Sequence, residues 1–179
     1  SMGGPITAEF TARHPERVSR LFLFVPAGLD TNGAGGLSGL MLRTPGIGDW
    51  IWRMYGRKIL LGDPQYDESA LDPENRLAGD VTEQMDYRGY NEALLSTFRH
   101  FPMSDRDDTF TRLKATGVPV MAVFGGADST IPVSSAARLQ ALLPDADVRV
   151  LDGGTHGLNY QRHSEVNPWL VDWFSAAQP

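Results

Sequence analysis

Three side chains in glycine-rich turns supply a hydroxyl, a carboxylate and an imidazole: Ser1 in Ser1-Met2-Gly3-Gly4, Asp128 in Gly125-Gly126-Ala127-Asp128-Ser129-Thr130, and His156 in Gly153-Gly154-Thr155-His156-Gly157. A hydroxyl is a weak nucleophile until an imidazole takes its proton, and the imidazole needs a carboxylate to orient it. Such a set suits attack on an acyl carbon. Two members also have a plainer reading: Asp128 as a turn carboxylate capping the next helix, and His156 as a solvated loop histidine. The other histidines have no comparable setting. His14 ends a helix, where a cation suits the dipole, and His100 and His163 lie in polar stretches. No two histidines have zinc-ligand spacing around a carboxylate, so neither a metal nor a cofactor is expected.

The elements that must position these groups alternate between helix and strand. Pro5 to His14 reads as a short helix opening after a Gly-Gly pair, and Val18 to Val25 is a nearly unbroken apolar run of the kind buried on both faces of a parallel sheet. From Asp30 to about Asp108 a Gly-rich loop (Gly33, Gly35, Gly36, Gly39) leads into segments of helical periodicity. Trp50, Ile51, Met54 and Tyr55 form one amphipathic span, and Tyr90, Ala93, Leu94 and Phe98 another. Pro119 to Phe124 is a second buried strand, Val133 to Leu143 a helix behind Pro132, Val148 to Leu151 a third strand and Val166 to Ala176 a closing helix. This alternation is the grammar of an α/β sheet.

Bulk properties exclude several classes. The chain has 179 residues, 41% of them hydrophobic, which suits one globular domain. It carries 22 acidic against 16 basic side chains, a formal charge of -6, with no basic run to track a phosphate backbone, so nucleic acid is not an expected partner. With no cysteine there is no disulfide, thiolate metal site or sulfur nucleophile. No apolar stretch approaches the roughly 18 to 20 residues that span a bilayer. A soluble, cytoplasmic chain is the expectation. The Gly33 to Gly39 loop lacks both the P-loop ending and the Rossmann spacing, and reads as a hinge.

Ser1-Met2-Gly3-Gly4, followed by a helix and then Pro15-Glu16-Arg17-Val18, resembles the stretch after the Gly-x-Ser-x-Gly elbow of the α/β-hydrolase family, and the order Ser, Asp, His is the family's. The 28 residues from Asp128 to His156, across one helix and one strand, match its layout. The resemblance covers nearly the whole chain. It implies that Ser1 attacks an acyl carbon, that His156 is general base and then acid, that Asp128 holds the His156 tautomer, and that the Met2 N–H helps bind the oxyanion.

The implied fold is the C-terminal part of an α/β-hydrolase parallel sheet flanked by helices, with 1–29 and 109–179 as partial core and 30–108 as an inserted helical cap. The implied function is a serine hydrolase acting on small carboxylic esters or related acyl substrates. A carbon-carbon bond hydrolase of aromatic degradation, a noncatalytic remnant and a hydrolase-fold ligand-binding protein stand as alternatives. Haloalkane dehalogenases and epoxide hydrolases share the fold but use an Asp nucleophile, and this elbow position is Ser. The family pattern places further strands before the elbow. Their absence leads to the expectations that activity is impaired and that a second copy or the missing N-terminal half covers the Val18 to Val25 edge. Trp50, Trp52, Met54, Tyr55, Met85, Tyr87 and Phe98 can line an acyl pocket, though residues at such spacing are more often core.

Overall fold

The structure is a computed structural model that describes residues 1–31, 36–67 and 76–176. Among the described residues three parallel strands form a sheet in the order β1-β2-β3: Leu21–Phe24 (β1), Val120–Gly125 (β2) and Asp147–Leu151 (β3). Leu21 pairs with Val120 and Phe24 with Val123, while Met121 pairs with Asp147 and Gly125 with Leu151. β2 is central and buried at every position, which is why its sequence is continuously apolar. At the outer edge, β3 exposes Val150 and carries Arg149 paired with Asp147, charges that blunt the strand's free side.

Alternation along the strands divides the core in two. On one face Leu21, Leu23, Val120, Ala122 and Phe124 pack against helices α1 (Gly3–Arg13), α6 (Asp107–Lys114) and α7 (Ser134–Leu142), with Phe110 and Leu139 wholly buried. On the other, Val123, Phe22 and Phe24 join Leu158 and Val166 from α8 (Leu158–Gln161) and α9 (His163–Ser175). α1 buries Gly4, Pro5, Ala8 and Thr11 on one stripe, and these small residues let it lie close against α6. Glu9 joins the same two helices through Arg112, Thr109 and Arg13.

Between β1 and α6 the described residues form helices only: α2 (Gly36–Arg43), α3 (Ile47–Leu61), a 3-10 turn at Pro64–Tyr66, α4 (Leu77–Gln84) and α5 (Tyr90–His100). α3 and α5 are pinned by the Trp52 indole N–H donating to the Asn91 carbonyl (2.7 Å) and by Arg99, which bonds Asp49 (2.9 Å) and the Leu42 carbonyl (3.0 Å). Among the described residues no helix is long and apolar enough to cross a membrane.

Several boundaries differ from the sequence reading. The first strand is only Leu21–Phe24, because Pro15–Arg17 is a 3-10 turn and Val25 turns the chain with φ of 36°. Val25 is β-branched, so this left-handed conformation is strained, and it is held by its N–H bond to the Val123 carbonyl (2.8 Å). Gly36 and Gly39 belong to α2 rather than to a loop, while Gly33 and Gly35 lie outside the described residues. The last helix starts at His163, not Val166, and carries Pro168 inside its second turn, where only the bond to the Ser164 carbonyl is forfeited. Trp50, Met54, Tyr55 and Tyr87 are exposed and not core, whereas Trp52 and Met85 are buried. The helical period sets Gly48, Trp52 and Gly56 on the α3 face that packs inward and turns Trp50 and Met54 away from it.

Candidate active site

Because the strands are parallel, their carboxyl ends lie along one side of the sheet, and that is where the three candidate groups lie. β1 ends at Phe24, whose carbonyl accepts from the Ser1 amino nitrogen (2.9 Å). β2 ends at Gly125, three positions before Asp128, and β3 at Leu151, five before His156. Open parallel sheets bind their ligands along this rim.

The loops after β2 and β3 are stitched together by backbone. The Gly126 N–H donates to the Leu151 carbonyl (2.9 Å) and the Ala127 N–H to the Gly154 carbonyl (2.9 Å). Glycine is required at 125, since a Cβ there would sit 2.3 Å from the Gly154 oxygen. The approach of these loops brings the His156 Nδ1 to 2.9 Å from the Asp128 Oδ2, with the Asp128 side chain fully buried and that of His156 only 9% exposed. The second carboxylate oxygen, Oδ1, accepts the N–H groups of Thr130 (2.8 Å) and Ile131 (2.9 Å). Asp128 is thus a turn carboxylate and the histidine's partner at once, because the two oxygens divide the roles.

Ser1 is held on the same rim by backbone contacts. Its carbonyl accepts from the N–H groups of Gly4 (2.9 Å) and Ala27 (3.1 Å), which fastens the start of α1 to the segment after β1. Gly4 makes this fit: a Cβ there would lie 2.4 Å from the Pro26 Cβ. Met2 is the N-cap of α1, and its backbone N–H belongs to the helix end whose amides have no intrahelical acceptor. Among the described interactions no hydrogen bond joins Ser1 to His156. The other histidines are remote in role: His14 caps α1, His100 bonds Ser96, and the ring of His163 bonds the Tyr160 carbonyl (3.2 Å).

Comparison with known proteins decides the fold. No protein-family profile matches the chain. A 2-hydroxy-6-oxo-6-phenylhexa-2,4-dienoate hydrolase from a Rhodococcus strain superposes with a TM-score of 0.72 at 21% identity, over 98% of this chain and 62% of that one. The chain has the α/β-hydrolase fold. A carboxylesterase from Nitrososphaera superposes on this hydrolase fold with a TM-score of 0.70 at 19% identity, again covering 98% of this chain and 62% of the other. By sequence, the chain is 27% identical over 186 aligned positions to a 2-hydroxy-6-oxononadienedioate/2-hydroxy-6-oxononatrienedioate hydrolase of Pseudomonas putida, covering 97% of this chain. The chain spans about 60% of the length of that curated relative.

A cavity of about 530 Å³ opens between α3 and α5, walled by Trp50, Trp52, Met54, Arg57, Asn91 and Leu95 among others, and none of Ser1, Asp128 and His156 lines it. Sequence reasoning missed two residues that touch the loops of the Asp128–His156 pair. Asp63 bonds Ser129 and Thr130, and the buried Gln161 bonds Thr155. The sole local hint at Asp63 is the Pro after it, a turn signal.

Proposed function

We propose that this chain carries a serine-hydrolase site with Ser1 as nucleophile, His156 as general base and then acid, Asp128 as the group that orients the imidazole, and the Met2 N–H as an oxyanion donor. The observation that carries the reading is the buried 2.9 Å contact between His156 Nδ1 and Asp128 Oδ2 on the rim where Ser1 is fastened. With Nδ1–H directed at the carboxylate, Nε2 is left as an acceptor. It takes the hydroxyl proton as Oγ bonds the acyl carbon, and returns it to the leaving group as the acyl bond breaks. Water then enters by the same relay in reverse. The start of α1 supplies amide N–H groups and the positive end of the helix dipole for the developing oxyanion.

Small carboxylic esters are the proposed substrates, with residues 30–108 as the cap above the rim. A carbon-carbon bond hydrolase is the second reading, favoured by the Pseudomonas putida relative, whose name states that it hydrolyses 2-hydroxy-6-oxo dienedioates and which aligns over 97% of this chain. The test is a fluorophosphonate labelling experiment read by intact mass and peptide mapping, with Ser1→Ala and heat-denatured controls. Stoichiometric labelling at Ser1 that is lost on denaturation supports the reading, and an unlabelled native chain refutes it. Turnover of a nitrophenyl ester set against that of a 2-hydroxy-6-oxo-2,4-dienoate then separates the two substrate classes.

A further inference from the structure

The turn Asp63–Tyr66 arises between α3 and α4, yet its contacts are with the loops after β2 and β3. Asp63 uses both carboxylate oxygens. Oδ1 accepts the Gln65 N–H (3.0 Å), which shapes the turn itself, and Oδ2 accepts the hydroxyls of Ser129 (3.1 Å) and Thr130 (3.1 Å). Thr130 is the residue whose N–H is bonded to the Asp128 Oδ1, so its backbone serves the carboxylate while its side chain is held from the other side.

The second anchor is Gln161, only 3% exposed. Its amide nitrogen donates to the Pro64 carbonyl (2.9 Å), and its amide oxygen accepts the Thr155 hydroxyl. That hydroxyl oxygen in turn accepts the Gly157 N–H (3.2 Å), so one buried amide spans the turn and both neighbours of His156. Gly157 is itself packed on the turn: a Cβ there would lie 3.0 Å from the Gln65 Cβ and 3.1 Å from the Gln65 carbonyl oxygen. Burial, with Tyr90 and Asp63 beside it, lifts the Tyr66 hydroxyl to about 12, so this residue of the turn is neutral.

We propose that Asp63 and Gln161 are positioning residues, and that the turn they hold is a strap fixing the loops of Asp128 and His156 against each other. The functional half of this inference rests on the serine-hydrolase reading. Its structural half does not. Three separate attachments, at 129–130, at 155 and at 157, grip both loops, whereas a turn tied down only for its own stability has no need to reach both. A charged acceptor is placed where it can take two hydroxyl donors at once, and bonds to charged groups are the stronger ones.

The experiment is native-state hydrogen exchange by NMR on the whole chain, for the wild type and for Asp63→Ala, Asp63→Asn and Gln161→Met, with fluorophosphonate labelling kinetics alongside. Asp63→Ala is expected to speed exchange at Thr130 and Ile131 about tenfold, and Gln161→Met to do so at Gly157, with Val120 to Phe124 unchanged. Asp63→Asn retains one acceptor oxygen for the hydroxyls and is expected to recover part of the protection. In labelling, the maximal rate at saturating reagent should fall about tenfold, while the concentration for half-maximal rate holds, because the reacting groups are misaligned and the reagent is still bound. Unchanged exchange at those amides, or a uniform rise across β2 as well, overturns the strap. Faster exchange with an unaltered labelling rate overturns the positioning role. A wild type that does not label at all, with the exchange pattern as expected, sinks the hydrolase reading and the positioning role resting on it and leaves the strap standing.

Discussion

Replacing Asp128 by Asn and by Ala separates the two tasks that its carboxylate performs. In the native chain Oδ1 takes two backbone N–H groups at 2.8 and 2.9 Å, and Oδ2 takes His156 Nδ1 at 2.9 Å, all without exposure of the side chain. Asn keeps the shape and one carbonyl oxygen for the two N–H groups, but it turns an amide N–H toward Nδ1. The imidazole must then accept at Nδ1 and carry its proton on Nε2, the nitrogen that is to receive the Ser1 proton. A charge-assisted bond becomes a neutral one, at a cost to stability of about 1 kcal/mol. Reactivity suffers far more: an inverted tautomer costs about 10⁴-fold, or about 5 kcal/mol of barrier.

Ala removes all three contacts. The buried Ile131 N–H, the half-buried Thr130 N–H and the imidazole lose their partner, at about 1 to 3 kcal/mol for each buried group and less for the half-buried one, so a loss near 4 kcal/mol is expected. Urea unfolding should therefore place Asn close to the wild type and Ala well below it, while fluorophosphonate labelling of Ser1 should be nearly abolished in both. Labelling of the Asn variant at the wild-type rate would refute the assigned tautomer. Equal midpoints for Asn and Ala would refute the claim that Oδ1 organises the turn.

The remaining expectations concern packing and pH. Glu9 is held at about 2 rather than 4.5, first by its bond to Arg13 and further by Thr109 and Arg112, against the opposing effect of burial. A depressed carboxylate stabilises the fold above its unfolded value and ceases to do so as pH falls through the folded one, so the unfolding midpoint should drop between about pH 4.5 and 2, and Glu9→Gln should flatten that drop. Gly4→Ala sets a methyl 2.4 Å from Pro26 Cβ and should cost about 1 to 3 kcal/mol in denaturant unfolding. Gly3→Ala meets nothing within 4 Å and should be neutral or stabilising by up to ~1 kcal/mol. Phe110→Ala empties the fully buried centre of the α6 face and should cost about 3 to 5 kcal/mol, read from the same curves.

What was legible in the sequence, and what was not, follows the range of the interactions involved. β2 could be read because a strand covered on both faces must be apolar throughout, and Val120 to Phe124 is. Asp128 and His156 could be read because each stands in a glycine-rich turn after a strand, 28 residues apart across one helix and one strand. The period of α3 could be read too, but not its orientation. Apolar residues occupy both Trp52 and Trp50, and only the partners of Trp52, Asn91 at 2.7 Å and the Phe98 ring at 5.4 Å, decide which of them is buried. Asp63 left only the turn signal of the Pro after it, and Gln161 no local trace. The bonds that tie them to Ser129, Thr130 and Pro64 reach 66, 67 and 97 positions along the chain, to residues whose types are ordinary for surface turns. A motif records what a turn must be in order to form, whereas the groups that hold two turns in register are chosen by the finished fold, so they surface only when each polar contact around the pair is traced to its other end.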